Sequence, residues 1–106
     1  MTNGGMMYSK GDIVIVQFPF SDLINAKKRP MVVLAQRGRD LIGCAITSNP
    51  ESKGVPLPKG TLPLESSIKF WQINTFVQEL ATQKIAKLPK HTHQELIDKI
   101  GEMMSI

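Results

Sequence analysis

The whole chain of 106 residues contains one cysteine, Cys44. An internal disulfide is therefore impossible, and so is a cysteine metal cluster. Long apolar runs are missing too. The longest aliphatic stretch near the N-terminus, residues 13–16, falls far short of the roughly 20 residues that span a bilayer, so no membrane partner is expected. No apolar segment of about 7–15 residues follows a basic start, which argues against a secretory leader and for a reducing, cytoplasmic setting. The glycines form no phosphate loop and no strand–GxGxxG–helix fingerprint, which removes the main support for ATP-dependent and redox chemistry. His91 and His93 make an H-x-H pair without a third ligand at suitable spacing. No metal and no cofactor are expected, and both histidines are placed at the surface. Cys44 lies mid-strand, far in sequence from either histidine, and reads as core and not as a nucleophile.

What is present is an ordinary globular composition, 42% hydrophobic and 21% charged, long enough for one domain with one modest core. The expected division is a disordered N-terminal tail over residues 1–9 and a single domain over residues 10–106. Thirteen Lys and Arg against nine Asp and Glu leave a net charge of +4. The distribution is uneven. Lys27, Lys28, Arg29, Arg37 and Arg39 lie close together with no acid among them, while Glu95, Asp98 and Glu102 make the C-terminal end acidic. A local basic patch suits an anionic partner, nucleic acid first.

β-branched residues crowd the segment DIVIVQF after Gly11, which predicts a buried strand closed by Pro19. Residues 20–28 read as a polar loop long enough to bind something. MVVL follows Pro30 as a second strand, residues 36–40 as a charged turn, LIGCAI as a third strand and residues 47–52 as a polar loop. Four prolines from Pro50 to Pro63 leave room only for a loop or for short edge-strand material at residues 55–57. Residues 66–73 predict a strand with Ile68, Phe70 and Gln72 on one face and Lys69, Trp71 and Ile73 on the other. Residues 83–88 predict a last strand. Thr92 and Glu95 have the spacing of a capping box, and Leu96, Ile97, Ile100, Met103 and Met104 then share one helical face. The sum is a mainly β fold with α, a small β-barrel ending in an amphipathic helix.

Two polar segments flank apolar strands. In Lys27-Lys28-Arg29-Pro30, the proline restricts Arg29 to an extended conformation at a strand entrance. There its planar guanidinium is aimed by the scaffold and can bind phosphate with two bonds. Thr47-Ser48-Asn49 leaves the third strand. If the second and third strands pair, these ends come together, and the arginine with two hydroxyls makes a phosphate site; the alternative is an exposed arginine and an ordinary Ser/Thr/Asn turn. Trp71 offers a stacking surface for an unpaired base, with Lys69 lining the same groove, or else packs in a core or dimer interface.

The order of these segments resembles the MazF/PemK family of toxin–antitoxin ribonucleases. The resemblance rests on GDIV, then KRP before MVVL, then AITSN, ESKGVPL, SSIKFWQINT, and KIAKL before a helix, and it runs over nearly the whole chain. It implies an SH3-like β-barrel of about five to seven short strands, working as a homodimer. It implies metal-independent cleavage of single-stranded RNA, often mRNA, in which the ribose 2′-hydroxyl attacks the adjacent phosphorus and leaves a 2′,3′-cyclic phosphate. It also implies a cognate antitoxin protein that occupies the RNA groove. Carried over, Arg29 and Thr47 are the catalytic pair. Arg29 stabilises the phosphorane and protonates the leaving oxygen, and Thr47 hydrogen-bonds the scissile phosphate. Lys27, Lys28, Ser48, Lys69, Trp71 and Gln72 contact RNA, and Ser21, Asp22 and Asn25 sit in a mobile loop over the groove. Ser67, Gln72 and Thr75 match further family positions.

Some members place an arginine and an acid where this chain has Lys69 and Trp71, and Asn74 replaces an arginine. Trp71 cannot accept a proton. The general base then falls to Asp22 or to the substrate itself. Two alternatives remain. One is a catalytically weak RNA- or antitoxin-binding module of the same fold. The other is a protein-binding poison like the CcdB gyrase inhibitors, which resemble the family in fold and act through the apolar end of the C-terminal helix.

Overall fold

The structure, a computed structural model, describes residues 8–18 and 27–105. The β-branched segments form the strands that sequence patterning predicts, and pairing lengthens them. β1 is Asp12–Phe18, β2 Lys27–Arg37, β3 Asp40–Thr47, β4 Val55–Pro56, β5 Ser67–Val77 and β6 Ala81–Lys87, followed by the helix α1, Lys90–Met104. Among the described residues they make one antiparallel, barrel-like sheet in the order β4-β5-β3-β2-β1-β6. No described helix is long and apolar enough to cross a membrane.

The near-continuous apolar runs of β1 and β2 are explained by burial on both faces of the sheet. One cluster joins Ile13, Val32, Cys44, Ile46 and Ile68 to Leu96 of α1. On the other face, Tyr8, Val14, Val16, Met31, Val33 and Phe76 pack together. Cys44 is fully buried, and desolvation pushes its thiol up to about 11, so it stays a neutral core group.

Six expectations need correction. Tyr8 is buried and the Ser9 N–H donates to Asp12, so neither belongs to the tail. Lys27 and Lys28 are not loop residues but the start of β2, paired with Phe18 and Gln17 of β1. The charged turn shrinks to Gly38 and Arg39, because Gln36 and Arg37 pair with Leu41 and Asp40. Gly38 sits at φ +58°, which lets two residues close that hairpin.

The fourth correction concerns β5. Cys44 pairs with Ile73 but Ile46 pairs with Ile68, so residues 69–72 of β5 oppose Ala45 alone. The bulge resets the alternation. Ile73 therefore packs with Ile68 against the same core, and Gln72 turns to solvent.

The fifth is the helix start. α1 begins at Lys90 behind Pro89, with His93 N–H donating to the Pro89 carbonyl, and no side chain caps it. The Leu88 N–H is already bonded to Gly11 and its side chain is buried, so the chain is anchored immediately before the proline. Thr92 is thus drawn into the first turn and buried, and the capping box does not form. His93 goes with it. Its Nε2 is buried with no hydrogen-bond partner among the described residues, and the ring lies against Gly11, so it is not a surface group. Sixth, the helix face divides. Leu96 is fully buried and Ile100 packs on the core, but Ile97, Met103 and Met104 remain exposed.

Asp12 ties β1 to the edge strand β6. Its buried carboxylate lies 3.3 Å from Lys84 Nζ and 3.2 Å from Lys87 Nζ, and it accepts the Ser9 N–H at 2.8 Å. Burial pushes its pKa up, but the Ser9 N–H and the two ammonium groups outweigh that and hold it below 3.8. A lowered carboxylate pKa stabilises the fold above the unfolded value and loses that contribution as pH falls through the folded one. Asp12→Asn should therefore lower stability by about 2 kcal/mol at neutral pH. It should also flatten the loss of stability below about pH 4. Urea unfolding of both proteins at neutral and acid pH checks this; parallel pH profiles would show that Asp12 does not supply the acid sensitivity.

Candidate nucleic-acid interface

Pro30 lies in a strand flanked on both sides, yet it has no N–H to give either neighbour. The β2–β3 ladder begins one residue later, at the Met31–Ala45 pair. Counting two residues beyond that pair brings Arg29 level with Thr47, and both line a cavity of about 460 Å³. Lys28 and Ser48 line it too. The conformational restriction that Pro30 places on Arg29 is visible: Arg29 is extended in β2, paired with Val16 of β1.

The apolar part of the cavity comes from residues that the sequence did not single out. Ile15 lies in β1, and Ile46 precedes Thr47 in β3. Ile85 falls between the Ala86–Ile13 and Lys84–Val14 pairs, in an irregularity of β6. The remaining wall is Leu62, Pro63 and Leu64 from the connection between β4 and β5, read from its prolines as a plain loop. The one visible signal was Leu64, an apolar residue in a polar, proline-rich stretch; it is 66% exposed and stands at the rim.

The cationic side chains are free to meet a ligand. Lys27, Lys28 and Arg29 are exposed and make no ion pair among the described residues. The hydroxyl side is ordered by short-range bonds. Thr47 Oγ1 accepts the Asn49 N–H at 3.1 Å, and Asn49 Oδ1 accepts the Glu51 N–H at 2.9 Å. Thr47 Oγ1 keeps its own proton to donate. An arginine fork, an ammonium and two hydroxyls around one opening can bind a phosphate group. No described lining residue of this cavity is a carboxylate or an imidazole. The described residues contain no group of three or more His, Cys, Asp or Glu placed to hold a metal.

The other residues chosen from the sequence lie elsewhere. Lys27 is exposed at the start of β2, outside the lining. Lys69, Trp71 and Gln72 stand in the β5 bulge, two to five residues beyond Ser67, which pairs with Thr47. At about 3.3 Å per residue this carries them away from Arg29 and Thr47. Lys69 and Trp71 do not line the described cavities; the Trp71 ring is half exposed and meets Phe70 edge-on, centroids 5.0 Å apart. Thr75 pairs with Ile42 farther along the strand. Ser21, Asp22 and Asn25 lie outside the described residues.

Comparison with known proteins gives a consistent family. The family model for PemK-like, MazF-like toxins of type II toxin–antitoxin systems matches residues 9–104. Among solved structures, a MazE–MazF complex from Deinococcus radiodurans is 20% identical, with a TM-score of 0.79 over 95% of this chain and 100% of that one. MazF alone from the same organism is 16% identical, with a TM-score of 0.75 over 96% and 100%. A mycobacterial endoribonuclease in complex with its cognate antitoxin is 10% identical, with a TM-score of 0.70 over 91% and 93%. These likenesses describe the fold. A search of curated proteins found no match.

Proposed function

The chain belongs to the PemK-like, MazF-like toxin family, and on that premise we propose that it is a metal-independent endoribonuclease toxin acting on single-stranded RNA. The observation that carries the reading is the meeting of Lys28 and Arg29 with Thr47 and Ser48 around one cavity. In the proposed reaction the ribose 2′-oxygen bonds to the adjacent phosphorus as the bond to the 5′-oxygen breaks. The products are a 2′,3′-cyclic phosphate and a 5′-hydroxyl. Charge builds on the non-bridging oxygens, where the Arg29 fork and the Thr47 hydroxyl donate hydrogen bonds. Arg29 also supplies the proton to the departing 5′-oxygen. Asp22, or a non-bridging phosphate oxygen of the substrate, takes the proton of the 2′-hydroxyl. A cognate antitoxin occupying the same groove, a homodimeric state and a cytoplasmic setting complete the proposal.

The test is incubation of folded, untagged protein with a long single-stranded RNA in EDTA, with both new ends mapped. Discrete cuts bearing 5′-hydroxyl and cyclic phosphate ends are expected. Linear 3′-phosphates from the outset, or cutting only when divalent metal is returned, would overturn the mechanism. The absence of a carboxylate or imidazole from the described lining favours a second reading, a module that binds RNA without cutting it. In the same assay that reading gives retained RNA and no new ends.

A further inference from the structure

Next to the cavity of Arg29 and Thr47 is a second one of about 470 Å³, and the two share Ser48, Leu64 and Ser66. Its character differs. No cation lines it, and its one charged side chain is Glu65. Around Glu65 stand Asn49, Ser52 and Ser67, with Pro50 and Leu64 as the apolar surfaces. The Ser52 Oγ is buried with no hydrogen-bond partner among the described residues. A buried hydroxyl without a partner is unfavourable, and Ser52 lines this cavity, so a bound ligand can supply the missing partner.

An RNA strand whose phosphate sits against Arg29 extends one nucleotide in either direction. A second phosphate beside Glu65 would meet like charge. An uncharged base would not. A carboxylate only accepts hydrogen bonds, and it does so with two oxygens side by side. Adenine and cytosine offer it one amino group next to a ring acceptor, and uracil one N–H between two carbonyls. Guanine alone has two adjacent donors, N1–H and the N2 amino group. Hydroxyls such as Ser52 and Ser67 can donate to its O6 and N7.

We propose that the cavity of Glu65, Ser52 and Ser67 is a guanine-specific base pocket beside the scissile phosphate, with Glu65 the specificity-determining residue. The proposal rests on the reading of the first cavity as the RNA phosphate site.

The test uses pentamers of 2′-deoxyuridine with guanine, hypoxanthine or adenine at the centre, which lack every 2′-hydroxyl and cannot be cut. Binding is followed by fluorescence anisotropy. Wild type should bind the guanine pentamer about tenfold more tightly than the hypoxanthine one, which lacks only the N2 amino group. Glu65→Gln should abolish that difference, and Ser52→Ala should weaken the guanine and hypoxanthine pentamers alike, since both bases keep O6 and N7. Glu65 is exposed, so its replacement leaves the fold intact, which circular dichroism confirms. Arg29→Ala should weaken all three pentamers alike. Equal binding of the three pentamers by wild type overturns the guanine pocket and leaves the phosphate site standing. A guanine preference with Arg29→Ala unaltered supports the pocket and overturns the phosphate reading. No binding to any pentamer overturns both.

Discussion

Arg29→Ala is expected to lower the rate of RNA cleavage about 10²- to 10³-fold, the usual cost of removing one donor from developing oxyanion charge. That is about 2.7–4 kcal/mol of transition-state stabilisation. Folding stability should change by less than about 0.5 kcal/mol, since the side chain is exposed and has no ion-pair partner among the described residues. The separation of these two effects is the point of the measurement. Initial rates on a defined RNA, beside thermal melts of both proteins, give it directly. Arg29→Lys should recover only part of the lost rate, because an ammonium keeps the charge but not the two-bond fork. A fully active, folded Arg29→Ala protein would remove Arg29 from the reaction.

The largest structural effect is expected from a single methyl group. A Cβ at Gly54 would lie 2.1 Å from the Ile68 carbonyl oxygen and 2.7 Å from its carbon, both backbone atoms of β5. Neither can rotate away. The next residue, Val55, pairs with Ile68, and the Leu57 N–H donates to Ser66, so the clash falls on the seam that holds β4 to β5. Val55 is almost wholly buried in the main core, and Ser66 lines both cavities. Gly54→Ala should cost about 3–5 kcal/mol, at the extreme of single substitutions. Against a total of about 5–15 kcal/mol, much of the protein would be unfolded or would lose β4. The control is Gly101→Ala. Nothing stands within 4 Å of its added Cβ, and it lies in α1. The same change there should stabilise by up to about 1 kcal/mol. Urea midpoints moving in opposite directions would confirm the assignment. A neutral Gly54→Ala would mean that β4 is not held as described.

The candidate site divides along the same line as the fold. Arg29 and Thr47 were legible because each ends an apolar strand run, and sequential strands tend to pair. Lys69, Trp71 and Gln72 were chosen on strict alternation along one strand. The bulge opposite Ala45 breaks that alternation, and nothing in SIKFWQINT announces where one partner residue will face four. Trp71 consequently stands on the surface against Phe70 and not in the cavity with Arg29. Glu65 and Ser52 escaped notice because each is a common polar residue in a loop. Only the return of residues 62–66 alongside the end of β3 puts Glu65 next to Ser48 and Ser52.

By itself the sequence determined the strand content. Runs such as IVIV and MVV have no polar face and are buried on both sides of the sheet. It also determined the terminal helix, whose 3.6-residue period persists through Met104, and the extended Arg29 ahead of Pro30, since that restriction is local and steric. Tertiary structure decided the rest. Anchoring of Leu88 moved the helix start to Lys90, buried Thr92 and tucked the His93 Nε2 away from solvent. Long-range pairing set the β5 bulge and closed the two cavities. Each of these depends on which distant backbone a residue meets, and short-range propensity and period carry no information about that.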